Sequence, residues 1–128
     1  MTLTEQLMQA DVETVNKLRT GTFRSKRLQR VTGADDLVEI TIKELAPSKI
    51  NSIRKGSDDD FDIYKNICLE GIIEPNVKDN ALMKHFQCSS PISLIEKIFS
   101  VEIPSIANAI VELSEFATEE DQKNEVKN

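Results

Sequence analysis

Apolar residues are densest along residues 61–73: Phe61, Ile63, Tyr64, Ile67, Cys68, Leu69, Gly71, Ile72 and Ile73. At helical periodicity Phe61, Tyr64, Cys68, Gly71 and Ile72 share one face, flanked by Ile67. Ile63, Leu69 and Ile73 fall elsewhere, and the clean polar strip is Asp62, Asn66 and Glu70. A helix apolar on most sides is surrounded by other elements, so the rest of the chain is expected to pack around this one. Gly71 inside a helix costs about 1 kcal/mol against alanine. A close approach by a neighbour accounts for it. Pro75 is predicted to stop the helix, since proline has no N–H to donate and clashes with the preceding turn. Asp79 is predicted to cap the next one.

Before this helix, residues 4–18 read as one or two short helical segments carrying Leu7, Met8, Val12, Val15 and Leu18. Residues 21–30 and 37–43 read as two strands. The second alternates strictly, with Val38, Ile40 and Ile42 on one face and Glu39, Thr41 and Lys43 on the other. Turn chemistry at Thr32-Gly33-Ala34-Asp35-Asp36 joins them into a β-hairpin with one wet face. A lone hairpin is marginal, so its apolar face is expected to rest on helices. Pro47 sits at the first turn of a short helix running to about Arg54.

After it, Ala81, Leu82 and Phe86 give a helix of two turns. Ser90-Pro91 caps a helix whose apolar half is Ile92, Leu94, Ile95, Ile98 and Phe99. The last helix is read over residues 102–117. Its Ile103, Ile106, Ala107, Ile110, Val111 and Leu113 span an arc of roughly 160°, wider than a two-helix seam. Phe116 lies off that arc. Either the helix packs on two neighbours, or part of the arc waits for a partner. The fold class is therefore α+β, mostly α: a bundle of about five short helices with one N-terminal β-hairpin. Residues 1–117 form one domain, and the polar stretch 118–128, with Val126 its one aliphatic, is expected to be disordered.

Charge changes this picture in one place. The 128-residue chain carries a net charge of −6. Lys17, Arg19, Arg24, Lys26, Arg27 and Arg30 nevertheless occur with no acid between them. Those six leave ten basic against 22 acidic residues elsewhere, a balance of −12. Such a ribbon suits phosphates, the protein's own acids, or an acidic partner. With Phe23 the one aromatic in it, nucleic acid is disfavoured.

Catalytic chemistry is sparse. Cys68 and Cys88 are too few and too far apart for a zinc site, and Cys68 reads as a buried small hydrophobe. Ser57-Asp58-Asp59-Asp60 lacks the alternation and internal glycine of a calcium loop; acids there suit a helix N-terminus. His85, the one histidine, reads as a surface or packing residue. Neither an enzyme nor a cofactor is expected. The N-terminus shows no basic segment followed by an apolar run, and no stretch approaches the ~20 apolar residues of a membrane helix, so a soluble intracellular protein is expected.

The layout resembles the XkdN-like phage tail assembly chaperones of phages and prophages of Gram-positive bacteria. The likeness runs from Arg27-Leu28 through Ile40-Thr41-Ile42-Lys43-Glu44-Leu45 and Ile53-Arg54. It is strongest at Glu70-Gly71, Pro75-Asn76-Val77-Lys78-Asp79 and Leu82, and continues through Ser90-Pro91, Glu102 and Leu113-Ser114. It covers most of residues 3–117. Three departures fall at turn positions. Members often carry Tyr-Gly where this chain has Phe86-Gln87, a glycine in place of Val101, and a glycine in place of Glu115.

The resemblance implies a non-catalytic protein of the bacterial cytoplasm that is absent from the finished tail. It would coat the tape measure protein, keep it soluble and help bring tail tube subunits to it. A longer frameshifted form of the chain is a further implied partner. A generic interaction adaptor is the alternative. The residues expected to line or border a client groove are Ile95, Phe99, Val111, Leu113 and Phe116. Gly71, Pro75 and Asp79 are expected to act structurally.

Overall fold

The computed structural model describes residues 1–114. The elements are α1 (Leu3–Gln9), α2 (Val12–Asn16), β1 (Thr20–Ser25), α3 (Lys26–Thr32), β2 (Val38–Lys43), α4 (Pro47–Gly56), α5 (Asp60–Gly71), β3 (Ile72–Glu74), α6 (Asn80–His85) and α7 (Pro91–Phe99). A 3-10 turn (Ser100–Glu102) follows, then a helix over residues 103–114, here α8. The expected disorder of 118–128 and the expected role of Phe116 lie outside the described residues.

The class is α+β and mostly helical, as expected, but two features of the expected architecture are corrected. Helices outnumber the expected five. The hairpin is also replaced by a three-stranded antiparallel sheet in the order β1-β2-β3. Thr20 pairs with Lys43 and Ser25 with Val38, so the two expected strands do meet. Their connection is a helix, because residues 26–30 leave the strand. Ser25 Oγ accepts the Leu28 N–H at 2.9 Å, and Gly33 ends α3 at φ +73°. The first five of the seven residues between these caps, Lys26 to Arg30, are good helix formers.

The central helix is shorter than expected. It ends at Gly71, and Ile72 is already extended. Ile72 and Glu74 pair with Ile42 and Thr41 of β2 as a third strand, which suits the β-branched Ile72-Ile73. Pro75 thus terminates β3 and not α5; the Glu74–Pro75 peptide is cis. Phe61, placed by periodicity on the inner face, is exposed, whereas Ile67, Cys68 and Gly71 are buried. The helix starts follow local chemistry. Asp59 accepts the Asp62 N–H at 2.8 Å, Asp79 that of Leu82 at 2.9 Å, and Ser90 that of Ser93 at 3.1 Å. One core joins Ile40 and Ile42 of β2, Ile67 and Cys68 of α5, Leu94, Ile95 and Phe99 of α7, and Ile103, Ile106 and Ile110 of α8.

α6 ends at Phe86-Gln87, one of the turn positions where the resemblance leads to a glycine being expected. Gln87 N–H donates to Lys84 O and Cys88 N–H to Met83 O, the paired bonds of a Schellman cap. That cap needs a left-handed residue, and Gln87 has φ +59°. Gln87→Gly is expected to stabilise the fold by about 0.5–1 kcal/mol, because glycine meets no Cβ penalty there. A urea titration with unchanged m-value reads it as a raised midpoint.

Candidate functional site

The wide arc of α8 divides by depth. Ile103, Ile106, Ala107 and Ile110 at its centre are buried. Val111 and Leu113, at its two edges, are half-buried. The helix packs on two neighbours. On one side Ile110 presses against Gly71 of α5, where a Cβ would lie 2.6 Å from Ile110 Cδ1. On the other, Leu113 reaches Gly21 of β1, and Ser114 Oγ accepts the Leu45 N–H at 2.9 Å.

Each seam opens into a cleft. The one beside Val111, about 270 Å³, is walled by Ile63, Tyr64 and Ile67 of α5 with Ala107 and Asn108 of α8; Arg54 and Asp60 also line it. The one beside Leu113, about 330 Å³, is walled by Gly21, Thr22, Ile42 and Ala109, with Glu112. Ile95 and Phe99 are 0% exposed. They lie in the core and present no surface to a partner. Gly71 lies at the α5–α8 contact, Asp79 caps α6, and Pro75 ends β3.

A polar latch escaped sequence reasoning. Ser25 is fully buried, and its hydroxyl donates to Glu102 Oε1. Glu102 Oε2 accepts the Lys26 N–H at 3.1 Å, so one carboxylate holds the N-terminus of α3, where the helix dipole favours negative charge. Arg27 reaches the other way, donating from Nε to Ile98 O and from its guanidinium to Lys97 O, both at 3.0 Å. It satisfies carbonyls at the C-terminal end of α7. The local signal was the pair Ser25 and Gly33 bracketing a helix-forming run.

This accounts for part of the basic stretch. Arg27 is spent inside the fold, and Arg24 lies 3.9 Å from Asp36. Lys17, Arg19, Lys26 and Arg30 are exposed and make no ion pair among the described residues. Elsewhere Lys65 joins α5 to α7 through Glu96 at 2.9 Å, a hydrogen bond that raises the lysine's pKa.

Among the described residues, reactive groups do not converge. Burial pushes the Cys68 thiol up to about 12, which leaves it protonated and unreactive. Cys88 is half-buried. His85 is exposed and meets the edge of Phe86, ring centres 4.9 Å apart. Among the described residues no three His, Cys, Asp or Glu side chains gather as a metal site requires, and no helix is long and apolar enough to cross a membrane.

The sequence profile of the phage XkdN-like tail assembly chaperone proteins matches residues 4–127. The chain belongs to that family. No curated protein matches the chain. The crystal structure of the protein yqbn superposes with a TM-score of 0.58 at 17% identity, covering 76% of this chain and 87% of that one. A likeness at that identity speaks for a shared fold. Among the residues that carried the resemblance, Arg27 and Glu102 both tie α3 to the end of α7 and the turn after it, while Gly71 lies at the α5–α8 contact.

Proposed function

We propose that the chaperone receives an apolar helix of the tape measure protein in the cleft beside Val111. The observation that carries this reading is the position of Val111. It stands at the rim of an arc whose centre is already used by the core, next to Ile63 and Tyr64. A client helix offers apolar anchors at spacings of three and four, which a groove between two helices receives. Arg54 and Asp60 supply a polar rim. Leu113 borders the second cleft, and Ile95 and Phe99 belong to the core and not to either lining. The net charge of −6 keeps coated complexes apart in solution. In this reading the protein works in the bacterial cytoplasm without catalysing a reaction. It keeps the client soluble, helps tail tube subunits reach it, and leaves before the tail is finished.

Co-expression with the tape measure protein tests this. Val111→Asp is expected to weaken co-purification at least about tenfold, a loss near 1.4 kcal/mol. Asn108→Arg, an exposed position in the same cleft, is expected to do likewise without touching the core. Both variants should keep the wild-type circular dichroism spectrum. Wild-type client recovery with both would remove the cleft from the account.

A further inference from the structure

β1 is an edge strand. The sheet order is β1-β2-β3, so β2 lies on one side of it and no strand of the described residues lies on the other. The direction of its free groups follows from the register. Glu44 N–H donates to Arg19 O, which puts Arg19 among the residues bonded across to β2. The pairing continues without a shift from Thr20 with Lys43 to Ser25 with Val38. Gly21, Phe23 and Ser25 therefore also turn their N–H and C=O toward β2. Thr20, Thr22 and Arg24 turn theirs outward, and all three residues are exposed. Such a row of free donors and acceptors is a template for a further strand. β1 has neither the proline nor the bulge that blunts many edges.

Two features beside the edge decide what kind of strand it fits. On the sheet face toward α8, Gly21 and Thr22 wall the cleft of about 330 Å³ with Ala109 and Leu113. Gly21 has no side chain to fill it, and a Cβ there would already lie 3.4 Å from Leu113 Cδ2. The cleft has room for an aliphatic side chain, and Glu112 supplies a polar rim. On the outer face stands Arg24. Lys26 follows at the end of the strand, and Lys17 and Arg19 precede it. The acids close to these cations are committed. Glu44 accepts the Arg19 N–H, Glu102 accepts the Ser25 hydroxyl and the Lys26 N–H, and Asp36 lies 3.9 Å from Arg24. Glu39 stands across from Arg24 on β2, away from the free edge. Lys17, Arg19 and Lys26 make no ion pair among the described residues. Charges beyond about 8 Å are screened at physiological salt, so these cations, and not the net charge of −6, set the local field.

We propose that the free edge of β1 docks an extended segment of another protein in which acidic and aliphatic residues alternate. The main chain of that segment takes up the free groups of Thr20, Thr22 and Arg24. Because its side chains alternate across the sheet, its aliphatic residues meet the cleft between Gly21 and Leu113 while its acids meet Arg24 and Lys26. The site shares no residue with the Val111 cleft. It stands whether or not that cleft receives the tape measure protein.

Amide hydrogen exchange on the isotope-labelled full chain, read residue by residue by NMR, tests the proposal. The probe is a capped heptapeptide alternating Glu and Val. In the free protein the amides of Thr20, Thr22 and Arg24 should exchange fast and those of Gly21 and Phe23 slowly. With a dissociation constant near 100 μM, about 1 mM peptide should slow the fast set about tenfold. Thr22→Pro removes a donor that β2 does not use. It is expected to weaken the peptide at least about tenfold, with Gly21 and Phe23 still protected. Arg24→Gln/Lys26→Gln keeps every backbone bond and is expected to weaken it about fivefold. A heptapeptide alternating Lys and Val should bind at least about tenfold more weakly than the acidic one. Peptide binding that leaves the three amides fast, equal binding of the Lys peptide, or no response at about 1 mM would each overturn the proposal. Tighter binding of oligo(dT) at the same cations would overturn it too, giving them to phosphate. So would slow exchange of the three amides in the free chain, which would show the edge already covered by this chain or a second copy.

Discussion

Phe99→Ala is expected to lower the unfolding free energy by about 3–5 kcal/mol, the loss typical of a fully buried aromatic ring. Phe99 closes α7 at 0% exposure, among the largest side chains wholly enclosed. It lies in the core shared with α5 and α8, so truncation leaves a cavity that no single element can close. Domains of this size have about 5–15 kcal/mol to lose, and the melting temperature should fall by at least about 10 °C. Urea titration followed by circular dichroism measures it. The variant also separates support from contact. Since Phe99 offers no surface, the molecules that remain folded should bind client as the wild type does. Val111→Asp should show the reverse pattern, with folding largely kept and binding lost.

What was legible in the sequence was whatever a few neighbouring residues decide. Ser90-Pro91, Asp79, Pro47 and the acids before residue 61 announced helix starts, because a cap acts within one turn. Strict alternation announced β2. What was not legible depended on residues far away in the chain. The strand read over 21–30 becomes a helix at Lys26 because Ser25 is capped from outside by Glu102, 77 residues on. Three-residue β3 carries too little pattern to be seen. Its position beside β2, and not Pro75, decides where α5 stops. The groove was half legible. Arc width marked Val111 and Leu113 at the edges of α8, but periodicity alone gave Ile95 and Phe99 no depth, and both proved to be core. α1 and α2, in which no residue is buried, were read only as helical segments, since apolar spacing announces a helix face without saying whether the chain covers it.

Substitution at Gly71 should expose the contact on which the two longest buried helices depend. A Cβ built there lies 2.6, 2.8 and 3.0 Å from Ile110 Cδ1, Cγ2 and Cγ1. Swinging one methyl aside cannot relieve this, because all three atoms belong to a β-branched side chain restricted at χ1 and buried on every side. Either Ile110 leaves its rotamer or α5 and α8 move apart. Gly71→Ala is expected to cost about 1–3 kcal/mol, typical of overpacking, although alanine favours the helix by about 1 kcal/mol over glycine. Gly71→Val adds two methyl groups at the same seam and should cost more. A cycle with Ile110→Val or Ile110→Ala isolates the cause. Each is destabilising alone through the volume it removes. If the clash dominates, the pair Gly71→Ala/Ile110→Ala should be milder than the sum of its singles by at least about 1 kcal/mol. Strict additivity would place the cost elsewhere, in the turn from α5 into β3.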